Sequence, residues 1–141
     1  FKASLRWDYR EGKVNKVLEN VVIKTLAGFL NAKDGGTLLI GISDDATILG
    51  IEQDYSTLRK GQGRDEFELH LNQLIARSLG ESVPVFITPT FHSIDGHDIC
   101  QITVESSDHP IYDNEGQFYL RVGNATRPLP VNEAVEYIQR N

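Results

Sequence analysis

An apolar run at helical spacing that stops at two glycines and resumes as an extended stretch constrains this chain more than any other feature. Leu18, Val21, Val22, Thr25, Leu26, Phe29 and Leu30 recur every three or four residues, with Lys16, Glu19, Asn20 and Lys24 elsewhere on the cylinder. That periodicity predicts an amphipathic helix laid against an apolar surface. The pattern ends at Asn31, and Gly35 and Gly36 follow, residues that tolerate the positive φ with which helices close. Residues 37–42 are then apolar or β-branched on both faces, which predicts a central strand.

The rest of the chain alternates between the two periods. Ser43, Asp44 and Asp45 are residues that support a tight turn through side chain to backbone hydrogen bonds, so residues 47–51 are expected to return as the second strand of a hairpin. A polar loop is expected over residues 52–64. A second helix follows, with Asp65 and Glu68 spaced like a capping pair, Phe67, Leu71, Leu74 and Ile75 as its buried stripe and Gly80 as its stop. Residues 85–122 switch to period-2 character with turns at Asp95-Gly96 and around Gly116, which predicts a meander. Val131, Ala134, Val135 and Ile138 mark a last short helix that Pro130 can begin. The expected fold class is α+β, a mixed and largely antiparallel sheet with about three helices on it.

Composition narrows the function. The 141 residues suffice for a single domain over 1–141 that buries about two thirds of its unfolded surface. Phe1 is not a natural start residue, so a fragment of a longer protein is expected. No run of about 18 apolar residues occurs, and no membrane partner is expected. One cysteine, Cys100, can make neither an internal disulfide nor a cysteine-based zinc site, which fits a reducing compartment, the cytoplasm. The net charge of −6 argues against broad nonspecific binding to nucleic acid and leaves only a local basic patch for such a role.

Four segments have chemistry to offer. The glycines at 35 and 36 leave a helix and enter a strand, the reverse of a phosphate loop; Gly61 and Gly63 do precede a helix, but Asp65 and Glu66 occupy the end an anion would want. Asp44 and Asp45 are either turn residues or, one of them at most, part of an acidic set holding Mg²⁺ or Mn²⁺, because neighbours on extended chain point apart. In the segment around Arg121, Asn124, Thr126 and Arg127, two guanidiniums, a hydroxyl and free amides ahead of a helix would suit a phosphate or carboxylate. The alternative is that these arginines neutralise the domain's own acids, Asp44 or Glu133. The opening stretch sets Lys2, Arg6, Arg10 and Lys13 among Phe1, Trp7 and Tyr9, which suits a strand gripping nucleic acid, or equally an edge strand with its tryptophan in the core. The four histidines show no ligand spacing, and no metal site is expected from the residues themselves.

Taken in order, the opening FKASLRW, the stretch IKTLAGFLNAKDGGTLLIGISDDATILGI, the helix RDEFELHLNQLI and the closing FYLRVGNATRPLPVNEAVEYI resemble the AlbA-like domain of the Schlafen family. Its relatives include bacterial and archaeal proteins described as DNA-binding or as transcriptional regulators. The resemblance implies a nucleic-acid-binding module, for DNA or RNA, with Lys2, Arg6, Arg121, Asn124, Thr126 and Arg127 as binding residues and no cofactor. It also implies an alternative, since some Schlafen relatives cleave structured RNA with a metal held by two glutamates and an aspartate. Phe1-Lys2 matches the pair that follows the second glutamate, so both glutamates would lie upstream. Asp44 is the first choice for the aspartate, as a catalytic residue, and Asp45 the second; Mg²⁺ or Mn²⁺ would be required only in that case. With at most one acid of the set present, the fragment is not expected to be an enzyme by itself. A third reading, a protein-interaction module that forms a homo-oligomer, rests on the acidic surface and the open edges of a meander.

Overall fold

In chain order the elements are β1 (Trp7–Asp8), β2 (Lys13–Val14), α1 (Lys16–Asn31), β3 (Gly36–Ile40), α2 (Glu52–Ser56), α3 (Arg64–Leu79), β4 (Ile87–Ile94), β5 (His97–Val104), β6 (Phe118–Val122), β7 (Ala125–Leu129) and α4 (Val131–Arg140). They come from a computed structural model that describes residues 1–58 and 63–140. The fold is α+β, with four α-helices among the described residues where about three were expected. No described helix is long and apolar enough to cross a membrane.

Helix α1 forms as its periodicity predicts. The Asn15 side chain caps it by accepting from the Val17 amide at 3.0 Å. Its inner face, with Val22, Ile23, Leu26 and Leu30, joins one apolar cluster with Leu38 and Ile40 of β3, Ile102 of β5 and Phe67, Leu71 and Ile75 of α3. Fully burying each such side chain contributes about 1.5–3 kcal/mol. Beyond α1 the chain reverses through Gly35, at φ +67, where a Cβ would collide with the Val104 carbonyl oxygen.

The sheet order is β3-β5-β4, all antiparallel, so the central strand is β5 and not the segment at 37–42. On its other side, among the described residues, β3 meets only a parallel bridge from Lys2, whose amide donates to the Leu39 carbonyl while its own carbonyl accepts from the Gly41 amide, both at 2.8 Å. The apolar content of a strand tracks what covers its faces rather than its rank in the sheet. Central β5 buries Ile99 on the face that carries Gln101 and exposed Thr103, and turns polar only toward its C-terminal end, where that face is open to solvent.

Several local expectations change. The turn at residues 43–46 forms, but its return makes one bridge, Ile42 with Ile48, instead of a strand. Part of the expected polar loop over 52–64 is helix α2, and residues 59–62, including Gly61 of the candidate anion loop, lie outside the described residues. Gly63 occupies the cap of α3 without a side-chain bond; Asp65 sits in its first turn, where it complements the helix dipole, and does not cap it. Val85 and Phe86 belong to a 3-10 turn that includes Pro84, so β4 begins at Ile87.

The expected meander falls into two sheets. Asp95 at φ 53 and Gly96 at φ 79 make the two-residue turn between β4 and β5. β6 pairs instead with β7, through a turn at Gly123 and Asn124, so Thr126 and Arg127 lie on a strand and not at a helix N-terminus.

Candidate functional site

The β6–β7 ribbon lies across the C-terminal half of α1 because Gly28 has no side chain. A Cβ there would stand 3.1 Å from both the Arg121 amide nitrogen and Thr126 Cγ2. Six successive helix residues, Thr25 to Leu30, are buried as a result, since the sheet covers one side and the ribbon the other. Arg121 and Thr126 are cross-strand partners, so their side chains share the ribbon's inner face. The Arg121 guanidinium carbon lies 5.2 Å from the Phe29 ring centroid, and Nη1 donates to Thr126 Oγ1 at 3.0 Å. Its Nε is buried, with no hydrogen-bond partner among the described residues.

Neither Arg121 nor Arg127 is in an ion pair among the described residues, so neither neutralises Asp44 or Glu133. A half-buried guanidinium without a counter-charge is unfavourable unless something anionic comes to it. Arg121 lines a concavity of about 380 Å³ that also takes in Lys2, Lys24, Asn124 and Thr126 and has no acidic residue in its wall. Lys24, absent from the expected set, is exposed, with its Nζ 5.9 Å from the Tyr119 ring centroid. Its signal in the sequence is its place one turn before Gly28, the residue that marks the ribbon's close approach.

A second concavity, of about 460 Å³, adjoins the first across Lys2 and Val21 and is lined by Trp7, Asp8, Tyr9 and Arg10. Its wall is the opening hairpin, and a carboxylate holds that segment in place. Asp54, 1% exposed on α2, accepts from the amides of Leu5, Arg6 and Trp7 at 2.8, 2.9 and 3.0 Å. Burial pushes its carboxyl above the usual range, against the pull of those three bonds. Asp8, the one acid of this wall, accepts from the Asn15 side chain and from the Arg10 and Glu11 amides, which hold its carboxyl below the usual range. Leu5 fills the core position of the segment, and Trp7 stays half-buried at the groove.

The remaining candidates lie apart. Arg6 turns toward Glu19, with Nε 3.7 Å from Oε2, and lines neither concavity. Arg127 pairs across the ribbon with Leu120 and stands exposed on the outer face, opposite to Arg121 and Thr126. Asp44 is exposed at its turn. Asp45 makes that turn, accepting from the Ser43 hydroxyl and, at 2.8 Å, from the Thr47 hydroxyl, bonds that hold its carboxyl low. No group of three or more His, Cys, Asp or Glu side chains among the described residues is placed to hold a metal ion.

Glu19 is the hidden acid of α1. Burial pushes its carboxyl up, but the 2.6 Å contact with His70 Nε2 and the charge of Arg6 outweigh that and leave it below its ordinary 4.5. Asp98 is likewise held below 3.8, first by Arg64, against partial burial, and then by the Tyr55 hydroxyl at 2.7 Å. The stability these two contribute is complete above 4.5 and 3.8 and is lost as pH falls through their lower folded values. Asp54 acts in the opposite sense, its raised value removing stability as pH rises past 3.8. We expect the thermal midpoint to fall below pH 4.5 and the Glu19→Gln variant to lose part of that fall. Melting curves across the acid range test this, and an unchanged pH slope in Glu19→Gln would remove Glu19 from the account.

The chain is similar to a family model and to solved structures. The family model described as Schlafen, AlbA_2 matches residues 1–130. Among solved structures, the crystal structure of the DIP2311 protein from Corynebacterium diphtheriae is similar at 25% identity, with a TM-score of 0.62 over 87% of this chain. This chain covers 19% of that protein's chain. No curated protein matches.

Proposed function

The chain belongs to the Schlafen AlbA_2 family, and on that premise we propose that it is a nucleic-acid-binding module of a transcriptional-regulator-like protein, gripping phosphodiester groups between the β6–β7 ribbon and α1. The observation that carries this reading is Arg121, a half-buried guanidinium that, among the described residues, has no carboxylate partner and lies in a concavity that holds two lysines and no acid. Its planar fork suits phosphate oxygens, and seating on Phe29 fixes the fork in advance. Thr126 and Asn124 add neutral polar contacts, while Lys2 and Lys24 act as point charges at the rim. Arg127 on the outer face and Arg6 beside Glu19 contribute at longer range. The net charge of −6 restricts approach to this one face and makes binding modest and salt-sensitive.

Fluorescence anisotropy with labelled DNA and RNA, single- and double-stranded, tests the proposal. Three phosphate contacts give a slope of about −2 to −3 in log affinity against log salt. Arg121→Gln is expected to weaken binding about tenfold or more and to flatten that slope by roughly one contact. Lys24→Gln, at an exposed position that leaves the core intact, flattens it by a similar step, and Arg127→Gln has the smaller effect. Absence of binding to every probe at tens of micromolar protein in low salt would reject the reading.

A further inference from the structure

The basic concavity does not stand alone, because its neighbour across Lys2 and Val21 offers aromatic rings in place of positive charge. Tyr9 is 44% exposed and Trp7 is half-buried in that second wall. The first helix contributes to the shared floor. Val21 is 37% exposed and Leu18 half-buried, so the apolar stripe of α1 runs past the core and out into the groove.

We infer that the ligand class of this site is a single strand or an unpaired segment of nucleic acid, with phosphate at Lys2, Lys24 and Arg121 and bases on Trp7 and Tyr9. The inference rests on the nucleic-acid reading above and goes beyond it in choosing between duplex and single strand. In a duplex the faces of the bases are stacked on one another, and only phosphates and groove edges meet a protein. A duplex would therefore leave Trp7 and Tyr9 without a partner. It would also bring a dense line of charge against a chain whose net charge is −6, with Lys2, Arg10, Lys24 and Arg121 as the cations among the described residues of the two walls. A single strand reverses both terms. Its charge density is lower, and each exposed base has an aromatic face that stacks without regard to sequence. Stacking also supplies affinity that does not depend on salt, which a site with so few cations needs.

Trp7 is the one tryptophan of the chain, so its emission reports on this wall alone. The test uses the whole 141-residue chain. Single-stranded DNA, single-stranded RNA and a duplex of equal length are titrated at one salt concentration, reading anisotropy and Trp7 emission together. We expect either single strand to bind about tenfold or more tightly than the duplex and to quench Trp7. Tyr9→Ala should weaken single-strand binding about tenfold with the salt slope unchanged, while Tyr9→Phe, which keeps the ring, retains it. Should Tyr9→Ala fail to fold by circular dichroism, the strand preference and the quenching in the unaltered chain decide the matter. A duplex bound as tightly as the single strands, without quenching, overturns this inference and leaves the nucleic-acid reading standing. Failure of all three probes to bind overturns both.

Discussion

Replacing Asp54 with alanine is expected to lower the stability of the fold by about 3 kcal/mol, which for a chain of this size is a fall of roughly 10 °C in Tm. Three backbone amides, those of Leu5, Arg6 and Trp7, donate to this one carboxylate. Leaving each of them buried and unpaired costs about 1–3 kcal/mol. The sum overstates the loss, because the carboxylate itself is disfavoured by burial, the dominant influence on its raised pKa. Asp54→Asn should lie close to alanine, since one carboxamide oxygen replaces two acceptors and the amino group faces donors. The loss is also functional. Lys2 keeps its own bridge to β3, but Trp7 is placed at the groove by the segment that Asp54 holds, so binding should weaken while α1 and the ribbon remain folded. Melting curves read by circular dichroism, together with the wavelength of Trp7 emission, measure both parts. A midpoint within a degree or two of the unaltered chain would show that the segment is held by Leu5 burial and the Lys2 bridge instead.

Such a contact explains where the sequence stops being legible. The long elements read correctly because their signals are local: the 3.6-residue stripe of α1, the stripe of α3 with Gly80 behind it, and the Asp95-Gly96 turn between β4 and β5. Helix α2 has five residues and no apolar period, and is tied to the fold by bonds spanning some fifty positions, which no window can contain. The break between β5 and β6 was hidden for the same reason, since period-2 patterning says that a segment is extended and not which strand it pairs with.

The site was legible in its residue types and less so in its arrangement. Lys2, Arg121, Asn124 and Thr126 meet in one concavity. Arg6 and Arg121 are equivalent as sequence, each an arginine beside apolar residues. What separates them is that Glu19, placed on the polar side of its helix by spacing alone, is buried against Arg6 and His70, whereas no acid among the described residues reaches Arg121. Arg127 moves to the outer face because residues 125–129 pair as a strand, so adjacent side chains alternate.

The two glycines that end the first helix should give the clearest separation of stability from function. Gly35→Ala places a Cβ against the Val104 carbonyl in a backbone held at φ +67, and Val104 is itself held by β3–β5 pairing with Gly36. The left-handed conformation costs about 1–2 kcal/mol and the collision more, so a loss of at least roughly 3 kcal/mol is expected. Molecules that still fold should bind normally. Gly36→Ala acts through a different neighbour, because its Cβ would overlap the ring of Phe29. Overpacking of this kind costs about 1–3 kcal/mol. The ring cannot move without unseating the Arg121 guanidinium that lies on it. Binding should therefore fall in Gly36→Ala even at temperatures where the fold is intact, by about tenfold if the seat is what prepares the fork for phosphate. Adding Phe29→Leu removes the overlap but also the ring. If the argument is right, the double variant recovers its melting temperature without recovering affinity; recovery of both would mean that Arg121 needs only space and not the aromatic face.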